Sequence, residues 1–91
     1  MTKTETEQIQ ATIDGIKSQL SRIHHQINNP LSVISGNVQL LQELARVLGV
    51  EDDFSGPLTD IVSAADQLAE SADQLMVTRN LLAQLSNQSH E

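Results

Sequence analysis

Residues 9–31 read IQATIDGIKSQLSRIHHQINNPL, and the apolar members Ile9, Ile13, Ile16, Leu20, Ile23 and Ile27 recur in alternating steps of four and three. That spacing is the seam of a coiled coil or helical bundle. It resumes at Leu31, Ile34, Val38, Leu41, Ala45 and Leu48. Between Ile27 and Leu31 the step is four where three was due. Such a stutter locally unwinds a supercoil, and it falls on Pro30. A proline inside a helix costs about 3 kcal/mol, since it removes a backbone donor and crowds the preceding turn. The defect and the register break therefore mark one place, the run Ile23-His24-His25-Gln26-Ile27-Asn28-Asn29-Pro30-Leu31. A costly irregularity beside two histidines points to a site rather than to scaffold alone.

Working outward, a first helix is expected from about Glu5 to Leu48. Gly49 is its natural stop, because glycine takes the left-handed conformation that closes a helix. Glu51-Asp52-Asp53-Phe54-Ser55-Gly56-Pro57 reads as a turn, with Ser55 a candidate cap and Pro57 suited to the first turn of a second helix. That helix carries Leu58, Ile61, Ala65, Leu68, Ala72, Leu75, Arg79 and Leu82, again in heptad steps, and Asn87 to Glu91 is expected to fray. No stretch shows the alternation of a strand.

The fold class is therefore all-α, an antiparallel two-helix hairpin. At about 1.5 Å per residue the helices span roughly 65 and 45 Å, so the first should overhang by several turns at its N-terminus. Residues 1–18 form a helical extension, 19–88 the hairpin and 89–91 a frayed tail. One hairpin buries only a stripe. Val33, Leu40, Leu44, Val47, Val62, Leu81 and Leu85 lie outside it and need cover, which two hairpins packed as a four-helix bundle would supply. A homodimer is expected.

Composition excludes several functions. With 91 residues the chain makes at most one small domain, short of core on its own. A net charge of −7 with only five Lys and Arg disfavours nucleic acid and anionic membranes. Phe54 is the sole aromatic residue, so there is no base-stacking platform. The absence of cysteine excludes disulfides and thiolate metal sites and is compatible with a cytoplasmic setting. No run approaches the roughly 20 apolar residues of a membrane span, and the polar start Met1-Thr2-Lys3-Thr4-Glu5 lacks the apolar core of a signal peptide. Gly15, Gly36, Gly49 and Gly56 are isolated, so no phosphate-cradling loop is present. No metal site is expected from His24, His25 and His90, because neighbouring histidines diverge on a helix.

At roughly 100° per residue His25 points away from the seam, about 160° from its centre, with Asn29 on the same face one turn later. Gln26 and Asn28 lie on the flanks, and His24 sits nearer the seam, where packing or a flanking hydrogen bond suits it. An exposed neutral imidazole is a nucleophile. The same residue also fits an ordinary surface histidine, and Asn29 fits either water positioning or plain solvation.

The run His25-Gln26-Ile27-Asn28-Asn29-Pro30-Leu31, continuing Ser32-Val33-Ile34-Ser35-Gly36-Asn37-Val38-Gln39-Leu40-Leu41, resembles the H-box of the dimerisation and histidine-phosphotransfer domain of bacterial sensor histidine kinases. The resemblance covers about Gln19 to Leu85. It implies a phospho-acceptor at His25, a dimeric four-helix bundle, and phosphoryl exchange with the aspartate of a response-regulator receiver domain. The magnesium ion for that exchange would be held by the receiver, with no cofactor bound by the chain itself. Pro30 is expected to kink the helix around His25.

Two departures from the family stand out. Gln26 occupies the place where members commonly carry Glu or Asp as a base toward the imidazole, and a carboxamide accepts no proton at physiological pH. Asn29 does match the position where members carry Thr or Asn to position water for dephosphorylating the receiver. The separate ATP-binding domain of a kinase has no counterpart in this sequence, so no autonomous kinase activity is expected. The outward stripe Ser32, Val33, Gly36 and Leu40 is a candidate docking surface for a receiver, against the simpler reading of a wide core. The rival for the whole chain is a non-catalytic helical module that binds a kinase or regulator as inhibitor, decoy or adaptor.

Overall fold

The computed structural model describes residues 2–89. They form two helices, α1 (Lys3–Leu48) and α2 (Glu51–Ser89), packed side by side as a hairpin measuring 70 × 14 × 14 Å. The start of α1 is fixed by Thr2, whose Oγ1 accepts a hydrogen bond from the Glu5 backbone N–H at 3.2 Å. Thr at the cap with Glu three residues on is the pairing that satisfies the orphan donors of a helix start.

The far end of α1 closes on Gly49 at φ 70°. The Gly49 N–H donates to the Arg46 carbonyl (3.2 Å) and the Val50 N–H to the Ala45 carbonyl (2.9 Å). This pair of bonds is a Schellman closure, which needs a left-handed residue at that point. The chain has reversed by Val50, and α2 begins at once.

The stretch Glu51–Pro57 is thus helix, not turn, and neither Ser55 nor Pro57 starts α2. The reason is local electrostatics. Glu51, Asp52 and Asp53 occupy the first turn, where carboxylates meet the positive end of the helix dipole. Pro57 then removes a single backbone bond, the one to Asp53, near a helix start already short of partners. The earlier start also lengthens α2 to 39 residues against 46 in α1. The Gln10 amide of α1 donates to the Ser86 hydroxyl of α2, and α2 continues to Ser89, so α1 overhangs it by about one turn rather than several.

Each seam divides into two columns. On α1, Leu31, Val38 and Ala45 are buried while Ile34, Leu41 and Leu48 are exposed. On α2 the column Leu58, Ala65, Ala72, Arg79 and Ser86 faces α1, with Ala72 at 0 % exposure. Ile61 and Leu68 of the other column are exposed. Small Ala65, which shares hollows with Leu31 and Val38, and small Ala72, on the turn of α2 that meets His24, let the helices approach closely. Burying a side chain such as Leu31 contributes about 1.5–3 kcal/mol. Among the described residues six apolar side chains are buried and sixteen large ones exposed, so much apolar surface stays wet. All seven residues expected to need cover, from Val33 to Leu85, are among those exposed. Among the described residues no helix is long and apolar enough to cross a membrane.

Candidate functional site

Helix α1 runs unbroken through Pro30. The Gln26 carbonyl therefore lacks the N–H that residue 30 would ordinarily supply one turn later. His25, Gln26, Asn29 and Pro30 are all exposed, whereas Asn28 and His24 are half-buried against α2. His25 is exposed, as the helical wheel predicts, and so is Asn29 one turn on.

His24 does the opposite. Its Nε2 lies 3.3 Å from Oδ1 of Asp73 on α2, and the Asn28 amide nitrogen lies 3.1 Å from the same ring atom. One ring nitrogen cannot serve both. If Nε2 carries its proton it donates to Asp73, and the bare Nδ1, 3.4 Å from the Asn28 amide nitrogen, accepts from Asn28. If Nε2 is bare, Asn28 donates to it and Asp73 turns to water, which its 74 % exposure permits at little cost. His24 is thus a cross-helix clasp directly beside the exposed histidine.

C-terminal to His25 on α1, a groove of about 580 Å³ opens between the helices. Asn28, Leu31, Ser32, Ser35, Gly36 and Gln39 line it from α1, and Ala65, Asp66 and Ala69 from α2. Of the expected docking stripe, Ser32 and Gly36 belong to this groove. Val33 and Leu40 do not line it; they are exposed on the adjoining apolar face. Asn28, Ser35 and Gln39, and the whole α2 wall, were not singled out from sequence. The signal for that wall was there: Ala65 and Ala69, one turn apart, leave room on one face. Gly36 has nothing within 4 Å of where a Cβ would stand, so its smallness leaves open space rather than relieving a clash.

N-terminal to His25, a second hollow of about 360 Å³ is lined by Asp14, Lys17, Ser18, Ser21 and Arg79. Among the described residues no three His, Asp or Glu side chains gather as a metal ion would require. His90, weighed above for such a set, lies outside the described residues.

The hairpin thus presents an exposed histidine five residues before a proline held within the helix, with a groove between the two arms below it. The family model for the His Kinase A (phospho-acceptor) domain matches residues 15–79. The chain belongs to this family, and its phospho-acceptor role places it in two-component signalling. No curated protein and no solved structure matches it. The match holds both hairpin arms, including His25 and the groove below it, and ends at Arg79.

Proposed function

We propose that the chain is a homodimeric phosphotransfer partner in which His25 exchanges a phosphoryl group with the aspartate of a response-regulator receiver domain. The observation that carries this reading is the exposure of His25 beside a groove that a partner element can enter. In transfer to the chain, an imidazole nitrogen attacks phosphorus, a P–N bond forms and the acyl-phosphate P–O bond breaks. The aspartate leaves as carboxylate, and the ring proton passes to solvent. Gln26 orients the ring by hydrogen bonding, and Asn29 holds a phosphoryl oxygen or the water that hydrolyses the receiver's acyl phosphate. The receiver holds the magnesium ion. Position and exposure are what the hairpin contributes.

The homodimer rests on the exposed columns. Ile34, Leu41 and Leu48 of α1 and Ile61 and Leu68 of α2 would form the second half of a four-helix core. No cysteine and no membrane-spanning helix among the described residues support a cytoplasmic setting.

The test is incubation with radiolabelled phospho-receiver. Label should reach the wild-type chain and not His25→Ala, and Asn29→Ala should slow loss of label from the receiver. One observation favours a second reading: Gln26 cannot act as a base beside His25. On that reading the chain binds a kinase or regulator without carrying phosphate. Binding that is unchanged in His25→Ala, with no label on either protein, would select it.

A further inference from the structure

Arg79 occupies a position that the rest of its helix gives to packing. It sits in the column Leu58, Ala65, Ala72, Arg79 and Ser86 that faces α1. Its Nε is buried, and no acceptor among the described residues meets it. A buried donor without a partner is a cost that folding ordinarily removes. Arg79 also lines the hollow shared with Lys17, Ser18, Ser21 and Asp14. Two of the five Lys and Arg residues in a chain of net charge −7 thus converge on one hollow, joined by two hydroxyls. The single carboxylate there, Asp14, is already engaged, 3.7 Å from the Lys17 ammonium and accepting from the Gln10 amide at 3.1 Å.

We propose that this hollow is an oxyanion site for a phosphate-class group, with the Arg79 guanidinium and the Lys17 ammonium supplying charge and the Ser18 and Ser21 hydroxyls supplying neutral donors. A guanidinium fork suits the paired oxygens of such a group. The location is suggestive of its source. At roughly 100° per residue Asp14, Ser18, Ser21 and His25 fall within about 60° of one another on α1, and Ser21 is one turn from His25. The group is therefore either a free phosphate or a phosphoryl group carried on His25. The inference stands on the unpartnered donor and the hollow, and does not require that His25 be phosphorylated.

The Arg79 Nε–H gives its own signal in a proton–nitrogen correlation spectrum. Inorganic phosphate titrated into the full chain at fixed ionic strength should move that signal and the Ser18 and Ser21 amides along one saturating curve. Arg79→Gln should weaken the apparent affinity at least about tenfold, and Lys17→Gln, which removes the ammonium, should weaken it in the same direction. A second arm treats phosphate-free chain with phosphoramidate and desalts it, with phosphorus resonance reporting whether phosphohistidine has formed. Movement of the Arg79 signal in phosphorylated wild type, absent in His25→Ala, assigns the group to His25. Movement with free phosphate alone assigns it to solution anion. The proposal is overturned if chloride moves the signal as far as phosphate does, or if wild type and both variants titrate alike. It is equally overturned if phosphohistidine forms, free phosphate is added and the Arg79 signal stays still. Failure of phosphohistidine to form counts instead against the phosphotransfer reading.

Discussion

The rings of His24 and His25 stand edge to face, 6.2 Å between centroids and 68° between planes, and this divergence of adjacent side chains separates a structural histidine from a chemical one. His24 reaches across to Asp73, while His25 leaves the hairpin. His24→Ala should lower stability by about 0.5–1 kcal/mol, the range of a partly exposed polar contact, and still accept label. His25→Ala should leave stability within about 0.5 kcal/mol and accept none. Urea unfolding beside radiolabel transfer reads both, and a reversal of the two patterns would exchange their roles.

Residues of the exposed column should govern assembly without governing the hairpin. Leu41→Glu combined with Leu68→Glu places charge where the second copy would pack, and light scattering should then report monomer. In wild type the midpoint of thermal unfolding should rise with concentration, as linkage to a dimer requires; in the double variant it should not. Val38→Ala acts differently. Val38 is buried within the hairpin itself, so its truncation should cost about 1–2 kcal/mol whether or not the dimer forms.

Heptad spacing from Ile9 to Leu48 and from Leu58 to Leu82 carried the hairpin, because apolar periodicity is imposed by burial along the whole length of each helix. The start of α2 was less legible. Gly56 and Pro57 are poor helix residues, and composition alone does not weigh them against three carboxylates at a helix start or a reversal completed in two residues. The site divides the same way. His25, Asn29 and Pro30 share one strand of sequence and were readable together. The His24–Asp73 clasp and the hollow at Arg79 depend on which turn of α2 lies opposite which turn of α1, and that register is set by packing. Arg79 was visible only as a charged residue in an apolar column.

Both ends of the reversal can be tested by backbone substitutions. Gly49 is left-handed, and its Cβ site is open, so Gly49→Ala meets no clash and reports conformation alone. It should destabilise by about 1 kcal/mol. Pro57→Ala should stabilise by about 1–3 kcal/mol by restoring the bond to Asp53 and removing the crowding there. Were Pro57 instead at the first helical position, the exchange would bring little gain, so calorimetry of this variant checks the earlier start of α2.

Gln26 gives the sharpest test of chemistry. The residue is exposed beside His25, and its carboxamide can hold the ring but cannot take the proton that the imidazole loses as phosphorus is attacked. A carboxylate at the same place can. General-base assistance is worth about 10²-fold or more, so with an ATP-binding kinase domain supplied in trans, Gln26→Glu should accelerate labelling of His25 by about that factor. Transfer from a phospho-receiver should change far less, because the aspartate leaving group makes that reaction easier. An acceleration equal in both directions would mean that residue 26 acts by orienting the ring rather than by accepting its proton, and no acceleration in either would mean that the proton leaves by another route.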